Sequence, residues 1–179
     1  FIDYNDENRF YINYEKSDHN NLFWRTDFKL IPGRIYFSKT EISNAKSILK
    51  KANIFWSKKT EIKHRGIIFF ESYSTKQNNE FYTYKINNKN WGEKNWIKLI
   101  DRLKDKYLII QSVHEKAKKI DGVFYSENEF DFRTACAVLN NCDIYLGNEG
   151  GFGHVAAALN KKALIYFGGW ISPKSTGYD

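Results

Sequence analysis

Methionine is absent from the 179 residues, and cysteine and proline occur only twice each. Two thiols, Cys136 and Cys142, are too few to staple a scaffold. A disulfide framework is therefore excluded, and reduced thiols in a cytosolic protein are the expectation. Neither this pair nor the four histidines (His19, His64, His114 and His154) has zinc-ligand spacing, so no metal site is expected. No apolar run approaches the ~20 residues of a membrane-spanning helix, and the first residues are too polar for a signal peptide. The sequence also lacks a Walker loop and a G-x-S-x-G elbow, which removes P-loop nucleotide hydrolysis and serine esterase chemistry. Without an Asp-x-Asp pair, no chelation of a nucleotide diphosphate through a divalent ion is expected. Arginine is scarce as well: six of the 28 basic residues, the rest being lysine.

What is there belongs to a globular protein, with 42% hydrophobic and 27% charged residues. Lysine, Asn, Ile, Tyr and Phe are all plentiful, as an AT-rich coding sequence would produce. A net charge of +7 with that origin requires no polyanion, and no nucleic-acid partner is expected. The same charge would suit a phosphorylated ligand or the anionic face of a membrane. Beginning at Phe1, without methionine, and ending at Asp179 just after Gly-Tyr, the chain is expected to be a piece of a larger protein.

Residues 1–32 show no clean period, although Arg9–Glu15 has strand composition. From Gly33 the pattern sharpens. GRIYF reads as a strand, and Ser38 with Glu41 forms a capping box for a helix that turns Ile42, Ala45, Ile48, Leu49 and Ala52 to one face. GIIFFE is a continuous apolar run, as in a strand buried on both sides of a parallel sheet. Residues 72–90 are too long and polar for an ordinary connection. A helix over 93–104 follows, with Trp96, Ile97, Ile100 and Leu103 inward and Trp91 left outside the stripe, at the mouth of any site. YLIIQ, GVFYS, DIYLG and ALIYF are further strands. Ser112 with Glu115 and Ser126 with Glu129 are two more capping boxes, the second for a helix carrying Phe132, Ala135, Cys136 and Leu139. Strands alternating with helices predict an α/β fold with a doubly wound, mostly parallel, Rossmann-like sheet.

The densest chemical signal is DIYLGNEGGFGH, residues 143–154. Gly147, Gly150, Gly151 and Gly153 lie between a strand and a helix, where an open parallel sheet binds its ligands. Backbone amides and the helix dipole there can cradle a phosphate. The alternative is a tight turn with left-handed glycines and nothing bound. Residues 151–156 formally match the dinucleotide fingerprint, but this is the last turn of the series and no acidic residue follows the next strand. His154, in the first helical turn, either meets the anion or caps and packs. Glu149 either accepts from ribose or sugar hydroxyls or is a surface carboxylate at the helix dipole.

Residues 147–179, LGNEGGFGHVAAALNKKALIYFGGWISPKSTGYD with its preceding leucine, resemble the donor half of glycosyltransferase family 9, the bacterial heptosyltransferases. KNWGEKNWIKLIDRLKDK is similar to the family's Lys-x-Trp segment, and YFSKTEISNAKSILKKA to its interdomain helix. The resemblance implies a glycosyltransferase-B architecture: residues 1–32 as the tail of a mostly absent acceptor domain, 33–65 as linker strand and interdomain helix, and 66–179 as the nucleotide-sugar-binding domain. It implies inverting, metal-independent transfer from a nucleotide-diphosphate sugar to a lipopolysaccharide or other surface-glycan acceptor, without a cofactor. It also implies a cytoplasmic enzyme with peripheral contact to the inner membrane face. Donor-binding residues would be Lys89, Gly147, Glu149, Gly150, Gly151, Gly153 and His154. The catalytic base would belong to the acceptor domain, so this chain alone would be inactive. Where the heptosyltransferase loop reads Asp-Thr-Gly, this one has Glu149-Gly150-Gly151, and an insertion lies between Glu71 and Lys89. The rival expectation is a non-catalytic nucleotide- or sugar-binding domain of the same fold.

Overall fold

Ser38 and Glu41 close the first capping box as expected. Ser38 Oγ accepts from the Glu41 N–H at 3.2 Å, and Glu41 Oε2 accepts from the Ser38 N–H at 2.7 Å. Helix α1 then spans Lys39–Lys59. The structure, a computed structural model, describes residues 16, 18, 21, 23, 30–72, 90–112, 119–126, 131–169 and 172–178. The strand expected over Arg9–Glu15, most of the long polar stretch and the helix after Ser112 lie outside these residues. GRIYF is described and is not a strand. Ile35 and Phe37 pack against the core beneath α1, and the Arg133 guanidinium donates to the Tyr36 carbonyl. Side-chain packing and that bond hold the segment in place.

Along α1 the residues Ala45, Ile48, Ala52 and Trp56 are buried and Leu49 is partly so, as the helical period requires. Ile42 was expected on that face but stays exposed. The first turn is tied down by polar bonds instead: Arg133 Nε donates to Glu41 Oε1 at 2.7 Å. That bond holds the Glu41 carboxyl down to about 2.

Five strands follow: β1 (Ile67–Glu71), β2 (Leu108–Gln111), β3 (Phe124–Tyr125), β4 (Ile144–Asn148) and β5 (Lys162–Tyr166). All pair in parallel, in the order β3-β2-β1-β4-β5. Strand alternation feeds two cores. Phe69, Leu108, Ile110 and Tyr145 face α1, α3 (Phe132–Asn140) and α4 (Gly151–Ala158). Ile68, Phe70, Ile109 and Leu146 face α2 (Glu93–Leu103) on the other side. With helices on both faces, the continuous apolar runs of β1 and β2 are accounted for. Fully burying a side chain such as Phe69 or Phe70 stabilises the fold by roughly 1.5–3 kcal/mol each. The sheet is therefore doubly wound, and its strand order reverses between β1 and β4.

Two helices differ in detail from expectation. In α2, Trp96 and Ile100 are buried and Leu103 is partly so, but Ile97 lies on the flank, one residue off the buried stripe. Gly92 precedes this helix with φ +94°, a conformation that favours glycine. The cap of α3 is Asp131 rather than Ser126: Asp131 Oδ1 accepts from the Thr134 N–H at 2.6 Å. Starting there puts Phe132 at the first helical position, where it is half exposed and its ring meets Phe152 at 5.1 Å. Ala135, Cys136 and Leu139 are buried as expected.

Candidate functional site

In an open α/β sheet the ligand crevice lies beyond the carboxyl ends of the strands, where the strand order reverses. Here that point is the end of β1 against the end of β4, with Glu71 paired to Gly147. The glycine-rich turn emerges beside it. Glu149 N–H donates to the Tyr166 carbonyl at 2.9 Å, so the β4–β5 ladder continues into the turn. Asp143 marks the opposite, amino end, where its Oδ2 accepts from the Ile67 N–H at 2.7 Å.

None of the four glycines of the turn is left-handed; among described glycines only Gly92 and Gly122 have positive φ. Close approach explains two of them. A Cβ on Gly147 would strike the Tyr145 hydroxyl and lie 2.8 Å from the Glu71 carbonyl oxygen, and one on Gly153 would sit 3.0 Å from Ile165 Cδ1. The tyrosine ring thus folds over Gly147, and α4 packs tightly on β5. Gly151 faces the Phe132 ring, while a Cβ on Gly150, whose backbone is extended, would make only ordinary contact with the Asn148 carbonyl and Glu71 carboxyl oxygens. As N-cap, Gly150 leaves the start of α4 without a side-chain cap. Orphan N–H groups and the positive end of the helix dipole favour negative charge there.

The fully buried Tyr145 carries its hydroxyl to 3.1 Å from both Glu71 Oε2 and the Asn148 carbonyl. Asn148, also buried, donates Nδ2 to the Ser72 carbonyl at 2.9 Å. Burial pushes the Glu71 carboxyl up to about 7, with the Tyr145 hydrogen bond pulling the other way. A carboxyl that titrates near neutrality therefore sits at the reversal of strand order.

His154 is the fourth residue of α4 and is exposed. Its Nδ1 lies 2.8 Å from the Tyr178 hydroxyl, with the two rings edge to face at 5.6 Å. Tyr178 is delivered by a short turn that the sequence caps itself. Ser172 accepts from the Lys174 N–H at 3.2 Å, Pro173 opens the single-turn helix α5 (Pro173–Thr176), and Gly177 N–H donates to the Pro173 carbonyl at 2.7 Å. The result is a small, open cleft. It is lined by Glu149, Gly150, Gly153 and His154 from the turn and α4, and by Ile165, Phe167, Thr176 and Tyr178 from β5 and the segment after it. The Thr176 hydroxyl is buried there and unpartnered among the described residues.

Four of the expected site residues, Glu149, Gly150, Gly153 and His154, therefore meet in one cleft. Gly147 lies beneath Tyr145 and Gly151 against Phe132, and neither lines the cleft; Lys89 is outside the described residues. Trp96 is buried, while Trp91 is only partly so and stacks on Tyr166 at 5.7 Å, at the carboxyl end of β5. Sequence reasoning missed Glu71, Tyr145, Thr176 and Tyr178. The Ser-Pro start and Gly177 were available as signals for the last two, whereas nothing local marked Glu71. Cys136 and Cys142 are buried, their thiols pushed up by burial to about 11 and about 12. Among the described residues no helix is long and apolar enough to cross a membrane.

A family model described as glycosyltransferase family 9 (heptosyltransferase) matches residues 80–177. Among solved structures, the fold is similar to that of the E. coli ADP-heptose lps heptosyltransferase II, at a TM-score of 0.51 and 18% identity over 86% of this chain and 42% of that one. It is similar also to a family 9 glycosyl transferase from Veillonella parvula DSM 2008, at a TM-score of 0.53 and 14% identity over 78% of this chain and 38% of that one. The chain thus spans about two-fifths of the length of these structures. No curated protein sequence matches it.

Proposed function

The chain belongs to glycosyltransferase family 9, and from that premise we propose that it carries the donor half of an inverting, metal-independent glycosyltransferase. Residues 1–32 are the tail of an acceptor domain, 33–65 the linker and interdomain helix, and 66–179 the domain that holds a nucleotide-diphosphate sugar. The observation that carries this reading is the cleft at the carboxyl end of β4, where Glu149, Gly150, Gly153 and His154 converge beside an uncapped helix N-terminus. Such a cleft suits a diphosphate on its amide side and sugar or ribose hydroxyls at Glu149. Gly147 acts indirectly, by letting Tyr145 close over the turn, and Gly151 opens α4 against the Phe132 ring. Lys89 supplies further positive charge, whereas Trp91 packs on Trp96 and Tyr166, outside the residues that line the cleft.

Inverting transfer is a single displacement. An acceptor hydroxyl attacks the anomeric carbon opposite the diphosphate, the new glycosidic bond forms as the bond to phosphate oxygen breaks, and the hydroxyl proton passes to a base. On this reading the base belongs to the acceptor half, and the present chain's share is the leaving group. Negative charge grows on the diphosphate in the transition state, and fixed amide dipoles with His154 stabilise it where it grows. The acceptor is a lipopolysaccharide or another surface glycan, met at the inner membrane face. Calorimetric titration with ADP, GDP, CDP and UDP, with and without EDTA, tests the donor half directly. At least one diphosphate should bind more tightly than its nucleoside and equally well in EDTA. An absolute metal requirement would defeat the metal-independent reading.

A further inference from the structure

We infer that Tyr178 is a positioning residue that sets the tautomer of His154 and so makes its ring a hydrogen-bond donor to phosphoryl oxygens; this rests on the donor reading above. The contact is specific: the Tyr178 hydroxyl meets Nδ1 at 2.8 Å, and the edge-to-face packing at 5.6 Å fixes the ring plane. A phenol O–H donates more strongly than an imidazole N–H, and an imidazole nitrogen accepts better than a phenol oxygen. The hydroxyl therefore donates to Nδ1. In a histidine, the partner of one nitrogen decides whether the other carries the proton. With Nδ1 accepting, the proton of the neutral ring is on Nε2, the nitrogen left for a ligand.

A donor at that position excludes ligand groups that can only donate and selects acceptor oxygens. The buried Thr176 hydroxyl, unpartnered among the described residues, lines the same cleft and adds a second group able to donate. Gly177 keeps the arrangement in place. A Cβ there would strike the Pro173 carbonyl, so the turn that carries Tyr178 closes only with glycine.

The test pairs nitrogen-15 NMR of His154 at pH 8 with nucleotide binding, in the wild-type chain and in Tyr178→Phe. The phenylalanine keeps the ring packing and removes only the hydroxyl. The wild type should show the Nε2–H tautomer, and the variant a mixture. For whichever of ADP, GDP, CDP or UDP binds, affinity should fall by the factor by which the Nε2–H population falls, about 2-fold for an even mixture. Affinity for the nucleoside should not change. In a His154→Ala background the same substitution should cost nothing further. An Nδ1–H tautomer in the wild type, an unchanged tautomer in Tyr178→Phe, or additive losses in the double variant would overturn the inference. If the tautomer responds as stated but no diphosphate binds the wild type, the donor reading fails and the His154–Tyr178 pairing is supported.

Discussion

Replacing Glu71 by glutamine should make the fold more stable in alkaline solution and leave it unchanged in acid. Burial at the end of β1 raises the carboxyl from 4.5 to about 7. Between these values the folded chain keeps a proton that the unfolded chain has released. Stability from this group is therefore fully present below pH 4.5 and is lost as pH rises through 7. A shift of that size corresponds to about 3 kcal/mol at 1.36 kcal/mol per unit, and partial contact with solvent lowers it to about 2–3 kcal/mol. Glutamine keeps the shape, still accepts from the Tyr145 hydroxyl and carries no charge. Urea unfolding followed by tryptophan fluorescence at pH 5 and pH 8 reads the effect. At pH 8 Glu71→Gln should exceed the wild type by about 2–3 kcal/mol, the advantage shrinking towards zero at pH 5. Other titrating groups cancel in the difference. A variant that is less stable at pH 8, or an advantage independent of pH, would refute the reasoning.

Two further substitutions test the local geometry. Gly147→Ala should destabilise by roughly 1–3 kcal/mol, the usual cost of overpacking, because the Tyr145 hydroxyl and the β1 backbone both obstruct the new methyl group. Gly150→Ala has only contacts of 3.9 Å or more and extended backbone, so its denaturation midpoint should stay within error of the wild type. Arg133→Ala should alter the acid side of the stability profile. Glu41 is held down to about 2, chiefly by its hydrogen bond to Arg133, so its contribution is present above pH 4.5 and disappears as pH falls towards 2. Without Arg133 that decline should flatten, as circular dichroism across the acid range would show.

Strands buried on both faces announced themselves in the sequence, since the central IIFF and LII leave no polar position for a solvent face. The strand order did not. Apolar runs fix which segments pair but not with whom, so the reversal between β1 and β4, and with it the place of Glu71, emerged only from the fold. Ser38 and Glu41 were legible because a capping box is local and reciprocal. Ser126 and Glu129 show the same spacing, yet Asp131 caps the helix, because spacing alone does not say which of several acceptors the helix will use. Ile42 and Ile97 fall on buried faces by period yet lie at a helix start and a flank, where a neighbouring element decides burial. In the cleft, Glu149 and His154 belong to a motif dense enough to read. Their companions Thr176 and Tyr178 lie more than 20 residues further on, joined to them only by the path of β5 and α5.

The central claim is that the β4–α4 cleft holds a diphosphate through His154, and calorimetry on His154→Ala with a nucleoside diphosphate and its nucleoside tests it most directly. Losing a hydrogen bond to a charged group costs about 1.5–3 kcal/mol, so diphosphate affinity should fall roughly 10- to 150-fold. Nucleoside affinity should barely move, and the melting temperature should hold. Equal losses for both ligands, accompanied by a lower melting temperature, would mean that His154 only packs the turn and would contradict the account.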